Sequence, residues 1–134
     1  MKKALIAAGL LLVMAGIIGG ALAYASVGTG DDGLEVKPAP IHEVDVYIAE
    51  SFPPQVMVHV QGGLSDGCTT LREVKTERNG NVIDIKVTTQ RPREAICTQV
   101  YGYFEEGLNL GSDFVSGEAY TFNVNDVMTV FVMP

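Results

Sequence analysis

The side chains able to do covalent or metal chemistry are few and badly spaced for it. A serine or cysteine nucleophile needs a base beside it and a third group to orient that base. His42 and His59 are the only histidines in the 134 residues, and no G-x-S-x-G elbow occurs. His59 alternates with Val58 and Val60, which turns it toward the outer side of a strand, and His42 stands where the folded part begins. Both read as surface histidines. Zinc takes closely spaced nitrogen and sulfur ligands, and two isolated histidines do not supply them. Calcium collects oxygens from distant loops. Asp66, Glu105, Glu106, Asp113, Asn125 and Asp126 are the loop candidates, without the D-x-[DN]-x-[DN]-G pattern; they read first as a solvated acidic surface, with calcium as the alternative. Glu105 and Glu106 are adjacent in a strand and so face opposite ways, a poor acid–base pair. Gly28, Gly30 and Gly33 spell G-x-G-x-x-G, which cradles a dinucleotide only between a strand and a helix. Here an apolar leader precedes the motif, and Pro38 and Pro40 stop any helix. The sequence therefore predicts no catalytic residue, no metal site and no cofactor.

Cys68 and Cys97 are the only cysteines, and both lie beyond the apolar N-terminal run, so they are expected to form one disulfide in an oxidising compartment. Closing a loop of roughly 30 residues stabilises by about 3–4 kcal/mol in the chain-entropy treatment. The bridge would tie the turn at residues 62–67 to the loop at 90–96. Arg91 and Arg93 flank Pro92 in that loop and concentrate positive charge in an acidic chain. A stiffened loop loses little entropy on binding, so Arg91-Pro92-Arg93 is a candidate recognition loop; the alternative is a solvated connection. Tyr101 and Tyr103 alternate with Val100, Gly102 and Phe104. One of the two sets lies on an exposed face, where tyrosines contact a partner or a glycan, or the tyrosines pack in the core.

These groups need elements to position them. Lys2 and Lys3 precede the uncharged residues 4–23, which form either a signal peptide cleaved near Ala21-Leu22-Ala23 or Ala23-Tyr24-Ala25, or a helix of about 30 Å that crosses a bilayer and stays. Basic residues remain cytoplasmic, so both readings place the rest outside, secreted or anchored. Gly16 and Gly20 form a G-x-x-x-G that the local Gly and Ala content explains. No cysteine follows the run, so a lipid-anchored signal is excluded. The formal net charge of −7 leaves no basic stripe for phosphates and argues against nucleic acid. Residues 26–40, rich in Gly and Pro, read as a flexible linker.

From residue 41 onward the period is that of strands. Val44, Val46 and Ile48 make one, and Val56, Val58 and Val60 another. Residues 71–78 and 82–89 flank the turn Asn79-Gly80-Asn81, which tolerates positive φ. Further strands are expected at 98–104, 108–110, 120–123 and 128–133, with Asn125-Asp126 turning the last hairpin. The expected fold class is all-β, an immunoglobulin/fibronectin-III-like sandwich of seven or eight antiparallel strands over residues 41–134. Phe114, Gly117 and Tyr120, followed by inward Phe122 and Val124, have the spacing of a tyrosine corner, the alternative being a core tyrosine after a turn glycine. No Trp is present to pack on the bridge, which separates the chain from antibody domains.

Phe52-Pro53-Pro54-Gln55-Val56, Gly63-Leu64-Ser65-Asp66-Gly67-Cys68-Thr69, Thr89-Gln90-Arg91-Pro92, Cys97-Thr98-Gln99-Val100, Phe104-Glu105-Glu106 and the run from Tyr120 to Asn125 resemble a group of uncharacterised exported single-domain proteins of bacteria and archaea. The resemblance implies an exported β-sandwich found beside other envelope modules, and carries no activity. The functional expectation is a non-catalytic extracytoplasmic module that binds an envelope protein or polysaccharide or serves a structural role. The alternative is a protease inhibitor that presents Arg91-Pro92-Arg93 to an acidic pocket, with Arg93-Glu94 as its reactive bond.

Overall fold

Alternating Val56, Val58, Val60 and Ile83, Ile85, Val87 lay two apolar rows on single strand faces, and such rows must be covered by a second layer, which in a chain patterned for strands is another sheet. The computed structural model describes residues 33–134, and they meet this requirement with eight strands: β1 (Leu34–Pro38), β2 (Ile41–Ala49), β3 (Gln55–Leu64), β4 (Thr70–Asn79), β5 (Val82–Pro92), β6 (Gly102–Asn109), β7 (Ala119–Val124) and β8 (Val127–Val132). One sheet has the order β2-β3-β6; the other runs β1-β5-β7-β8, with β4 on the opposite edge of β5. Val56, Val58, Val60, Ile83, Ile85, Val87, Tyr120, Phe122 and Val124 are each no more than 1% exposed, and they form the core between the sheets. Each such side chain contributes about 1.5–3 kcal/mol by leaving water. The described residues are all-β and form a β-sandwich.

Three expectations change. The linker expected over residues 26–40 ends early, because Leu34–Pro38 pairs antiparallel with the last stretch of β5, Leu34 opposite Pro92 and Pro38 opposite Thr88. Pro38 is tolerated because it ends an edge strand. The strands expected at 98–104 and 108–110 are one strand, β6, whose register against β3 runs unbroken from Gly102 opposite Leu64 to Asn109 opposite Met57; residues 97–101 are held in a loop instead. The pairing is not antiparallel throughout. β5 and β7 run parallel, Val82 opposite Thr121 and Ile85 opposite Val124, because β6 crosses to the other sheet between them and the chain returns in the direction of β5.

β7 and β1 take successive stretches of one edge of β5, which leaves a seam at Val87. Asn125, in the β7–β8 turn with φ +53°, fills it. Its Oδ1 accepts from Val87 N–H at 2.9 Å, and its Nδ2 donates to Val87 C=O at 3.0 Å and to Ala39 C=O at 2.8 Å.

At the open side of the sandwich, Tyr120 enters β7 and its hydroxyl accepts from Val115 N–H at 2.8 Å. Gly117, at φ +85°, makes the bend between them. Phe114 packs edge-on to Tyr120 at 4.8 Å, and the Arg78 guanidinium lies 4.4 Å above the Phe114 ring.

The apolar leader at 4–23, its cleavage sites, the Gly16/Gly20 pair, and Gly28 and Gly30 lie outside the described residues. Gly33 leads into a strand, not the helix a dinucleotide site requires.

A candidate recognition face

Cys68 follows the end of β3, and Cys97 lies between β5 and β6. Their sulfurs are bonded, which fixes the β3–β4 turn to the segment entering β6. Asp66 organises the turn: its Oδ1 accepts from Cys68 N–H at 3.0 Å and from Thr69 Oγ1 at 2.8 Å. The Thr69 hydroxyl foremost, with the Cys68 amide and the Arg91 charge, holds its carboxyl below the usual range, against a smaller opposing effect of burial. Asp66, Cys68 and Cys97 converge closely, but the bonded sulfurs offer no thiolate to a metal.

Arg91 is spent inside this assembly. It sits within β5 opposite Glu35, not at a loop tip. Its Nε lies 3.0 Å from Asp66 Oδ2, an ion pair whose N–H is not aimed at the oxygen. Its Nη2 donates to Ala95 C=O at 3.4 Å and to Cys97 Sγ at 3.2 Å. Pro92 ends the strand, and Pro92 and Arg93 are exposed. The Arg91-Pro92-Arg93 run is thus divided, its first arginine turned inward.

What the bridge presents is the segment beyond it. Gly67 N–H donates to Thr98 C=O at 2.9 Å, so residues 97–101 follow the β3–β4 turn and deliver Tyr101 across Gly63, where any Cβ would collide with its ring. Gly62 likewise leaves room for the Phe104 ring. The Tyr101 hydroxyl lies 2.7 Å from His42 Nε2. Tyr103 stands edge-on to Tyr101 at 5.4 Å and tilted to His42 at 6.1 Å, with 75% of its surface exposed. Beside this cluster Gln61 Nε2 donates to Glu105 Oε1 at 3.1 Å, and His59 Nε2 lies 3.8 Å from Glu105 Oε2. His42, Gln61, Gly62, Tyr103, Phe104 and Glu105 line a hollow of about 220 Å³. Glu43 and Asp45 of β2, opposite Gln61 and His59, keep the face acidic.

A larger cleft of about 650 Å³ opens at the β1/β7 seam. Pro38, Ala39 and Pro40 wall it; Asn123 Nδ2 donates to Asp84 Oδ1 at 2.9 Å and Asn125 serves the seam backbone, while the Thr88 hydroxyl is buried without a partner. It is a by-product of the strand exchange along β5.

The acids named as calcium candidates are dispersed. Asp66 serves the bridge turn, Asp113 approaches Arg78 Nη1 at 3.9 Å, Asn125 and Asp126 turn the last hairpin, and Glu105 and Glu106 face opposite sides of β6. Sequence reading raised Tyr101 and Tyr103 but missed His42 as their neighbour. The signal lay in Gly62-Gly63, since paired glycines inside a strand mark the close approach of another group.

Residues 58–133 match the family described as the ORF11 beta-sandwich domain. The chain is 44% identical over 87 residues to an uncharacterised 10.2 kDa protein in the HgiCIIM 5′ region of Herpetosiphon aurantiacus, covering 65% of this chain and 92% of that protein. A second uncharacterised 10.2 kDa protein of that organism, in the HgiBIM 5′ region, is 48% identical over 77 residues, covering 58% of this chain and 93% of the relative. No solved structure matches.

Proposed function

The chain belongs to the ORF11 β-sandwich family, and from that premise we propose that it is a non-catalytic extracytoplasmic module that binds an uncharged polysaccharide on the outer face of β2-β3-β6. The observation that carries the reading is the His42–Tyr101–Tyr103 cluster beside the Gln61–Glu105 pair. Sugar rings offer C–H faces that stack on tyrosine and hydroxyls that pair with carboxamide and carboxylate. The acidic surround of Glu43, Asp45 and Glu105 repels anionic chains and favours neutral ones. The disulfide holds the tyrosine segment in place before binding, which lowers the entropic cost of association. Export rests on Lys2 and Lys3 before the apolar residues 4–23, and on a bridge of a kind that persists in oxidising compartments. The immunoglobulin/fibronectin-III likeness enters as a likeness of layers and of the Tyr120 corner. The inhibitor alternative keeps the exposed Arg93-Glu94 bond but loses Arg91 as a presented charge, because Arg91 is committed to Asp66, Ala95 and Cys97.

Tyrosine fluorescence reads this directly, since the chain has five Tyr and no Trp. Neutral glucan, mannan and chitin oligosaccharides are titrated into the full chain. The reading expects saturable binding to at least one of them, weakened tenfold or more by Tyr103→Ala and by Gln61→Ala, and unchanged by Tyr47→Ala at the far end of the face. Failure of all three sugars to bind, or binding indifferent to Tyr103 and Gln61, overturns it.

A further inference from the structure

A β-sandwich built of open sheets has free strand edges, and natural proteins guard them with charge, proline or short length. β1 carries Glu35, Lys37 and Pro38; β2 carries Glu43 and Asp45; β4 carries Arg72, Glu73, Lys75, Glu77 and Arg78; β6 carries Glu105 and Glu106. β8 reads Val127-Met128-Thr129-Val130-Phe131-Val132 and has no guard at all. It pairs with β7 alone, and among the described residues no other strand is hydrogen-bonded to it.

The strand's alternation says what that edge presents. Met133 exchanges backbone bonds with Gly117 and Glu118 on the β7 side, so by alternation the odd-numbered residues of β8 bond toward β7. Met128, Val130 and Val132 therefore turn their N–H and C=O groups to the free edge. The same three residues point their side chains outward, 67%, 61% and 58% exposed. Unpaired backbone and bare apolar surface coincide on the same residues.

We propose that β8 is the contact between two copies of this chain, which pair antiparallel through it about a two-fold axis at Val130. Self-complementarity selects this occupant. In that register Val130 faces Val130, Met128 faces Val132, each exchanges its N–H and C=O with the other copy, and no charge falls in the contact. A C₂ interface requires such a patch to match itself, and an uncharged strand suits a second copy of itself better than it suits the acidic or basic strands around it. The contact is small beside the ~1,600 Å² of a standard stable interface, so the dimer is weak, in the micromolar range, and gains where a membrane anchor concentrates the chain.

Sedimentation of the full chain across concentration is the test, joined to cysteine cross-linking. Cys68 and Cys97 are bonded, so an introduced cysteine is the one free thiol. Facing Cα atoms of a bonded antiparallel pair lie about 5.5 Å apart, within reach of a disulfide. Val130→Cys is expected to cross-link to itself under mild oxidant, and Glu77→Cys on β4 to remain monomeric. Val130→Lys is expected to weaken association tenfold or more while near-UV circular dichroism stays that of the parent. A chain that stays monomeric to millimolar concentration, equal cross-linking at both positions, cross-linking of Val130→Cys to a different protein in place of itself, or a Val130→Lys chain that keeps its fold and associates undiminished, each overturns the proposal.

Discussion

The Asn125 side chain lies against the Val87 backbone as a strand would: its Oδ1 accepts the Val87 N–H at 2.9 Å and its Nδ2 donates to the Val87 carbonyl at 3.0 Å. At the point where β7 ends and β1 begins, the carboxamide completes the ladder together with Ala39, whose N–H donates to the same Val87 carbonyl at 2.9 Å and whose C=O accepts from Asn125 Nδ2. The positive φ that lets the turn close is one that Asn tolerates better than most residues.

Asn125→Ala leaves Val87 N–H and Ala39 C=O without the carboxamide, while Val87 C=O keeps the Ala39 N–H at 2.9 Å, and it forces Ala into the left-handed region, an expected loss of about 3 kcal/mol. Asn125→Gly keeps the backbone relaxed and loses only the bonds, an expected loss of about 2 kcal/mol. Urea unfolding of the two variants separates the terms, and equal losses would show that the turn conformation costs Ala nothing.

The sequence shows Asn125 as a turn residue and hides its partner, because Val87 is distant along the chain and nothing local records that two strands meet end to end on β5. The same blindness covers β1. Leu34-Glu35-Val36-Lys37 alternates, but four residues between Gly33 and Pro38 look like a linker until an edge of β5 receives them. The hairpin at Asn79-Gly80-Asn81 and the rows at Val56 and Ile83 were legible because local period and turn chemistry decide them. The parallel β5–β7 pairing was not, since strand order depends on which edge remains open. In the recognition face, Tyr101 and Tyr103 were visible as alternating exposed residues, whereas His42 joins them only through the β2–β3 pairing.

Replacing both Cys68 and Cys97 by Ser is expected to cost about 3–4 kcal/mol, since the closed loop has a sequence separation of 29. A local effect accompanies it. The Gly67–Thr98 bond and the placement of Tyr101 over Gly63 depend on the bridge, so amide exchange at residues 98–101 should accelerate more than at β5. The native full chain should give an intact mass two hydrogens light and refuse alkylation before reduction. Free thiols would remove the physical basis for a preformed tyrosine segment.

Acid should loosen the same turn. The Asp66 carboxyl is held below its usual value, first by the Thr69 hydroxyl, so the unfolded chain binds this proton more readily than the folded one. The contribution is complete above the ordinary carboxylate range and is lost as pH falls through the lowered folded-state value. Exchange of the Cys68 amide, which Asp66 Oδ1 accepts, is expected to gain protection between those limits as pH rises. Asp66→Asn should flatten that dependence while leaving the protection of Val87 unaltered.

Tyr120→Phe isolates the corner from the core. The ring is 1% exposed and stays packed on Phe114 in the variant, so the change removes the acceptor of Val115 N–H at 2.8 Å and the longer donation to Glu118 Oε2 at 3.3 Å, at a cost of about 1–2 kcal/mol. Gly117→Ala probes the backbone instead. No atom lies within 4 Å of a Cβ built there, so its penalty is conformational, about 1–2 kcal/mol for an L-residue at φ +85°. The two changes act on one bend, and relaxing the bend breaks the bond, so the double variant should lose less than the sum of the single ones. Strict additivity in a urea-denaturation cycle would mean that Gly117 sets the turn independently of the tyrosine.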